Sequence, residues 1–292
     1  MPAVRPLLIA DVPWLLYRSF FGLPKSIKGA DGEPVNALLG TVNALLAAID
    51  AHRPRAIAAC TGAEEARYRV QLYPRYHAHR DPMPAQLATQ WRQAPGLLAS
   101  FGWTVFDAGD LEADDAMGSY AREEADAGGR ALLLTADRDL HQAVGDRVQA
   151  LDLKSGAFTV IGPDQVRERV GVEPALVPDL IALRGDPSDG LPGAPGIGAK
   201  TAAALLSDYG SLERVLAAAE RDDPGMSMKT AVKLRDSAAQ LRDFKEIATL
   251  VSIDVERPED GETDFAAGAA TAQALGMQAL AKRLRERAEA RP

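Results

Sequence analysis

Arg5–Asp11 reads RPLLIAD, a short apolar run that stops on an acid. A run of this length with no polar face is the pattern of a strand buried on both sides. The pattern recurs in Arg55–Thr61 (RAIAACT), Trp103–Asp107 (WTVFD) and Arg130–Thr135 (RALLLT). Val148–Leu153 and Ala157–Ile161, separated by Lys154-Ser155-Gly156, read as a hairpin. Leu15–Phe21, Ala37–His52 and Leu111–Ala127 carry helical patterning between the strands. Strands alternating with helices predict an α/β fold, a parallel sheet covered on both faces.

Beyond Gly171 no further strand pattern is found. Gly185–Gly198 (GDPSDGLPGAPGIG) is a dense turn region. Ala199–Leu206, Leu212–Ala219, Met228–Leu234 and Ala238–Leu250 are expected as four helices, and Thr271–Ala288 as a final amphipathic one. Upstream, Ala66–Arg80 mixes aromatic and basic residues and runs into the proline-spaced stretch Asp81–Pro84.

The chain has 292 residues, 47% hydrophobic and 25% charged, ordinary for a globular protein. No apolar run is long enough to span a bilayer, so no membrane partner is expected. Met1–Ile9 is too short for a signal peptide and leads straight to an acid. Cys60 is the only cysteine, so no internal disulfide can form, and a reducing cytoplasm is the expected compartment. The net charge of −8 argues at first against nucleic acid. Setting aside the eight acids named below leaves 33 acids against 33 bases, and bound cations would make their cleft locally positive.

The informative residues are acids just beyond strands. Asp11 ends the first. Glu112, Asp114 and Asp115 (EADD) follow the third at a helix start, and Asp137 and Asp139 (ADRD) follow the fourth. In an open α/β sheet, sites form outside the carboxyl ends of the strands, so these segments should converge. Glu112 and Asp115 lie three apart and share a helix face; Asp114 projects to a neighbouring one. An acidic first turn also suits the helix dipole without any metal, and a solvated turn would account for Asp137 and Asp139 taken alone. Together, however, clustered carboxylates raise one another's pKa unless cations neutralise them, and oxygen-only donors select hard ions. His52, His77, His79 and His141 make no convincing zinc set, and neither a Ser/His/Asp order nor a P-loop is present.

Leu191–Thr201 reads LPGAPGIGAKT. The turn Gly196-Ile197-Gly198 opens a helix whose free N–H groups, with Lys200 and Thr201, suit a phosphate backbone. Such contacts position a protein on nucleic acid without reading bases.

The chain resembles the 5′-nuclease domain of bacterial DNA polymerase I and the related flap endonucleases. The resemblance rests on LLIAD with Leu16-Tyr17-Arg18 downstream, Tyr68-Arg69, and YHAHRDPMP at Tyr76–Pro84. It continues through LEADDAMG at Leu111–Gly118, TADRDL at Thr135–Leu140, LRGDPSDGLPGAPGIGAKTAAALL at Leu183–Leu206 and LVSIDV at Leu250–Val255. It implies a PIN-like core at 1–175 with a helical arch at about 67–100, a helix–hairpin–helix (H3TH) duplex-binding region at 176–256, and a C-terminal segment at 257–292. It further implies Mg²⁺ or Mn²⁺ held by Asp11, Glu112, Asp114 and Asp115 at one site, and by Asp137, Asp139, Asp186 and Asp189 near a second. The hairpin becomes a candidate K⁺ site. Arg18, Arg69 and His77 would orient phosphates; Tyr68, Tyr73 and Tyr76 would stack on bases, and Arg80 would hold a phosphate.

The expected activity is structure-specific cleavage of DNA at 5′ ends, flaps and branches in replication or repair, leaving 5′-phosphate and 3′-hydroxyl. No polymerase sequence follows, so a stand-alone enzyme associated with the nucleoid is expected; the sequence names no protein partner. The alternatives are a PIN-type ribonuclease and a branched-DNA-binding protein with weak catalysis. The second is prompted by a departure: Gly62 stands where the family has a metal-binding Asp, with Glu64 nearby as a substitute. His77 replaces the family's arch Lys, and Gly190 replaces the Asn of its SDN string.

Overall fold

The computed structural model describes residues 5–290; Met1–Val4, part of the opening stretch read above, lie outside the described residues. Six strands form one sheet: β1 (Leu7–Asp11), β2 (Ala56–Thr61), β3 (Thr104–Asp107), β4 (Ala131–Leu134), β5 (Val148–Lys154) and β6 (Ala157–Ile161), in the order β3-β2-β1-β4-β5-β6. β1 to β5 are parallel, and β6 returns antiparallel along β5. The sheet is therefore mixed rather than wholly parallel. Ser155 and Gly156 turn the hairpin with φ of 49° and 81°, and a two-residue connection can only reverse direction.

The helices in chain order are α1 (Val12–Gly22), α2 (Asn36–His52), α3 (Arg67–Leu72), α4 (Ala85–Ala99), α5 (Ala113–Asp126), α6 (Pro163–Val170), α7 (Val177–Arg184), α8 (Ala199–Tyr209), α9 (Leu212–Glu220), α10 (Met228–Ala248), α11 (Phe265–Ala274) and α12 (Gln278–Glu289). Strand alternation divides the core. Leu8, Ala10, Ile57 and Leu134 face α1, α2, α4, α11 and α12. Leu7, Ile9, Cys60 and Leu133 face α5, and that apolar cluster continues without a break into α7, α8, α9 and α10. The helical region thus shares a core with one face of the sheet.

Two helix expectations change. Met228–Leu234 and Ala238–Leu250 join into the single helix α10, because Arg235-Asp236-Ser237 contains no breaker and the Ser237 hydroxyl donates back to the Lys233 carbonyl at 2.7 Å. Thr271–Ala288 instead splits into α11 and α12 at Gly276. Its φ is 84°, and a Cβ there would lie 2.2 Å from the Ala30 nitrogen. Pro163 and Pro178 start α6 and α7, which sequence patterning did not single out; proline is favoured at a first turn, where its missing N–H costs nothing. Among the described residues no helix is long and apolar enough to cross a membrane.

The C-terminal segment is fastened to the opposite end of the sheet from the acids. Glu124, fully buried at the end of α5, accepts from Arg55 Nε at 3.0 Å and Arg257 Nε at 2.7 Å. Arg55 Nη1 also donates to the Pro258 carbonyl at 2.7 Å and to Asp260 at 2.9 Å. Removing one member of such a network leaves an uncompensated buried charge. Glu124→Ala is expected to cost about 3–5 kcal/mol in a urea denaturation experiment; a loss near that of an ordinary surface substitution would show that Arg55 is solvated after all.

Candidate active site

β1 is the sheet's first strand, and the chain then builds outward on both sides of it. The crevice between the carboxyl ends of β1 and β4 is therefore the topological switch point, where open α/β sheets place their ligands. Asp11 closes β1 there. One of its oxygens accepts the Trp14 N–H at 2.9 Å, capping α1, and the other accepts the Thr135 hydroxyl at 2.7 Å. Thr135 follows β4 and opens a self-bracing turn. The Asp137 N–H donates to the Thr135 hydroxyl at 3.0 Å, and the Asp139 N–H to the Asp137 carboxylate at 2.8 Å. From the opposite wall, α5 presents Glu112 and Asp114. These acids and Asp189 line one cleft, with Asp186 on an adjoining opening that also contains Asp137 and Asp139.

The eight acids fall into two groups. Four are already partnered. Asp115 is fully buried, and both of its oxygens are taken: Oδ1 by Arg69 Nη2 and the Val251 N–H, each at 2.8 Å, and Oδ2 by Arg69 Nη1 at 3.1 Å and the Glu112 N–H at 3.2 Å. Glu112 accepts from the Ala66 N–H at 2.7 Å and the Tyr76 hydroxyl, and pairs with Arg69 at 3.0 Å. Asp189 pairs with His77 at 3.1 Å and Arg80 at 3.2 Å. Asp186 braces its own turn through the Ser188 N–H at 2.8 Å and faces Arg184 at 3.5 Å. Asp115, expected on the same helix face as Glu112, does not line the cleft as Glu112 does. Its i,i+3 spacing serves a capping box instead.

The other four, Asp11, Asp114, Asp137 and Asp139, form no ion pair among the described residues. Burial pushes the Asp11 carboxyl up to about 7, with Asp137 adding repulsion. Asp114 is held well above the ordinary value by desolvation, then by Asp137 and Asp11; Asp139 by desolvation, then by Asp137 and Asp189. Asp137 shifts the same way within the crowded cleft. Among the described residues no three such side chains converge into a ready-made cage. Hard oxygen donors, uncompensated charge and a shared cleft nonetheless fit divalent cations of the Mg²⁺ or Mn²⁺ type.

Several other expectations are redrawn. Tyr76 is buried, bonded to Glu112 and stacked on His77 with centroids 3.8 Å apart. Tyr73 packs edge-on against Phe244 and the Tyr68 ring lies under the Arg69 guanidinium at 5.2 Å; both are half-buried and neither is among the residues that line the cleft. His77 is likewise buried. Arg18 sits over the Trp14 ring at 5.9 Å and does not line the cleft. The aromatic wall of the cleft comes instead from Trp14, Tyr17, Phe21 and Trp91, with Phe21 68% exposed. Phe21, four residues after Tyr17 and so one turn further along the same helix, was the sequence signal for it. The 67–100 segment forms the other wall as α3, a turn and α4, with Arg80 exposed on its rim. Gly196 has a φ of 71°, and Lys200 and Thr201 are exposed on the first turn of α8, whose first residue, Ala199, borders the acidic opening.

The two glycine departures have packing causes. A Cβ on Gly62 would lie 2.5 Å from the Leu111 carbonyl and 3.0 Å from the Ala113 nitrogen, because the chain after β2 hugs the start of α5. Glu64 does line the cleft, where it accepts the Tyr17 hydroxyl. Gly190 has a φ of 75°, and a Cβ there would lie 2.8 Å from the Arg75 carbonyl.

Comparison with known proteins follows the same division of the chain. A family model described as the 5′-3′ exonuclease N-terminal resolvase-like domain matches residues 6–171, and one described as the 5′-3′ exonuclease C-terminal SAM fold matches residues 172–266. A 5′-3′ exonuclease of Mycobacterium tuberculosis is 37% identical over 260 residues, 81% of this chain and 81% of that one. A 5′-3′ exonuclease of Streptomyces coelicolor is 35% identical over 292 residues, 94% of this chain and 95% of that one. In fold, the chain is similar to a bacteriophage T5 flap endonuclease solved as a pseudo-enzyme–product complex with DNA and metal ions. That match has a TM-score of 0.67 at 18% identity and covers 98% of this chain and 100% of that one.

Two predictions follow from the cleft. Asp11 has a folded-state pKa above its ordinary 3.8, so its contribution to stability is present at low pH and is lost as pH rises through about 7. His141, pushed down to about 4 by burial and by Arg169 and Arg138, acts in the opposite sense, so the useful quantity is the difference made by metal. The rise in unfolding temperature on adding Mn²⁺ should be larger at about pH 8 than at about pH 5, at roughly 2–4 °C per kcal/mol of relieved repulsion. An equal rise at both would show that the acids do not titrate against the ion. Gly62→Asp, in turn, is expected to lower stability by about 1–3 kcal/mol rather than add a ligand; unchanged stability with tighter Mn²⁺ binding would refute the packing argument.

Proposed function

The chain belongs to the 5′-3′ exonuclease family and is a phosphodiester-hydrolysing nuclease, and on that premise we propose that it cuts DNA at 5′ ends, flaps and branches through ions held by Asp11, Asp114, Asp137 and Asp139. The observation that carries the proposal is that these four carboxylates, alone of the eight, meet in one cleft without forming an ion pair among the described residues. Bound Mg²⁺ or Mn²⁺ would supply Lewis-acid stabilisation of the phosphoryl oxygens and activation of the attacking water.

The remaining roles belong to the chain itself. Gly196–Thr201 opens α8 beside the acidic opening and suits the backbone of a duplex, with Lys200 adding charge. The unpaired 5′ strand enters the cleft past Arg80, whose guanidinium is exposed on the rim. Trp14, Tyr17, Phe21 and Trp91 provide faces on which its bases stack without sequence preference. Unstacking there brings a phosphate down to the acids. Glu112, Asp115, Asp186 and Asp189 hold the walls through Arg69, Arg184, His77 and Arg80. Water adds to phosphorus as the P–O3′ bond breaks, leaving 5′-phosphate and 3′-hydroxyl. Action on DNA places the protein with the nucleoid in the cytoplasm.

The experiment is cleavage of a labelled 5′-flap duplex with Mg²⁺, Mn²⁺ or EDTA, with Asp114→Asn beside the parent. The expected result is metal-dependent product, reduced on the order of 100-fold or more in the variant while flap binding persists. Tight flap binding with no product under any metal would favour the reading prompted by Gly62, a branched-DNA-binding protein. Cleavage of RNA in preference to DNA would favour the ribonuclease reading.

A further inference from the structure

The last turn of α10 and the segment that leaves it run as a strap along the cleft wall: Ile247, Ala248 and Leu250 line the same space as the acids. It is tied down by side chains rather than by a strand ladder. Arg69 Nε donates to the Ile247 carbonyl at 2.9 Å. The Val251 N–H donates to Asp115 Oδ1 at 2.8 Å, and the Ile253 N–H to the Ser119 hydroxyl at 2.9 Å, both acceptors being on α5. Between these ties lies Gln142, half-buried in the short turn after Asp139. Its Nε2 donates to the Asp139 carbonyl and to the Ala248 carbonyl, each at 2.8 Å, and its Oε1 accepts the Leu250 N–H at 3.1 Å. The amide orientation is fixed by these partners, because the reversed amide would set N–H against N–H and oxygen against oxygen.

We propose that Gln142 is a positioning residue for the nuclease reaction, tying the Asp137–Asp139 turn through the strap to the α5 turn that carries Asp114. This rests on the metal-site reading above. Adjacent strap residues are gripped from opposite sides: Leu250 by the turn that follows β4, and Val251 by α5. Asp114, Asp137 and Asp139 repel one another across that gap, and a side-chain tie in two directions opposes their separation. Outer partners of metal-binding groups orient them in the same manner and set affinity without touching the ion. Gln142 touches neither the ion nor the substrate in this account; it acts through Asp139 and the strap.

The test is Gln142→Met, which keeps the length of the side chain and removes its donor and acceptor. Four quantities are read: kcat and KM on a labelled 5′-flap duplex, flap affinity in Ca²⁺, and Mn²⁺ affinity of the DNA-free protein by electron paramagnetic resonance. Both kcat and Mn²⁺ affinity are expected to fall by about 10–100-fold, with KM and flap affinity unchanged. Parental kcat and Mn²⁺ affinity would overturn the proposal. So would a loss of flap affinity in step with kcat, since the strap would then act through the duplex. Ser119→Ala, which cuts the next tie along the strap, should shift Mn²⁺ affinity the same way by a smaller factor. It decides the matter alone if Gln142→Met does not fold, parental Mn²⁺ binding again overturning the proposal. A parent protein that makes no product under any metal defeats the metal-site reading itself, a result separable from any change in the variants.

Discussion

Mutual repulsion among Asp11, Asp114, Asp137 and Asp139 is the constraint around which this molecule is organised. Burial and proximity push their carboxyls upward, and among the described residues no protein cation pairs with them. Left to itself such a group would spread or protonate. The fold holds it by attaching each acid to an element that cannot give way: Asp11 to the central strand, the Asp137–Asp139 turn to the neighbouring strand, and Asp114 to a helix packed across both. Glu112, Asp115, Asp186 and Asp189 are each given a basic partner, so the unpaired negative charge among the eight acids concentrates where a cation would be most useful.

Much of this was legible in the sequence. A buried parallel strand has to be apolar on both faces, so the four apolar runs and the hairpin announced themselves, and the acids beyond them pointed to the crevice at the strand ends. The division of labour among the acids was not legible. Asp114 and Asp115 are neighbours of the same type, yet one lines the cleft and the other is consumed by Arg69 and two backbone N–H groups. The partner of Asp115 lies 46 residues away and its other tie 136 residues away, separations that periodicity cannot register. The tyrosines of Ala66–Arg80 misled for a related reason. An aromatic and basic stretch suits both stacking on bases and packing on a core, and here Tyr73 and Tyr76 took the second course.

The departures from the family pattern also acquire physical causes. Gly62 and Gly190 are places where backbone approaches backbone too closely for a Cβ, at the Leu111 and Arg75 carbonyls respectively. At position 62 the absent carboxylate and the tight approach go together: the chain has closed the space that a ligand would need. His77, expected from the resemblance to stand at a lysine position, follows the same logic. It is buried against Tyr76 and paired with Asp189, where a flat ring packs and a flexible ammonium would have to be desolvated.

The continuous apolar cluster from the sheet through α7, α8, α9 and α10 bears on how the two ends of the molecule act together. Domains joined by small polar interfaces are expected to move relative to each other. Here the junction is core, and the strap that leaves α10 is tied to the acid-bearing segments by Arg69, Asp115, Ser119 and Gln142. In the proposed reading, a phosphate backbone seated on α8 would be held at a fixed offset from the four acids, without a hinge to absorb an error in register. Selection of the scissile phosphate becomes a matter of distance along the strand rather than of base identity, which is what phosphate contacts can supply. On that proposal the aromatic faces of the cleft would have a single task, to unstack the bases that lie between the held duplex and the acids.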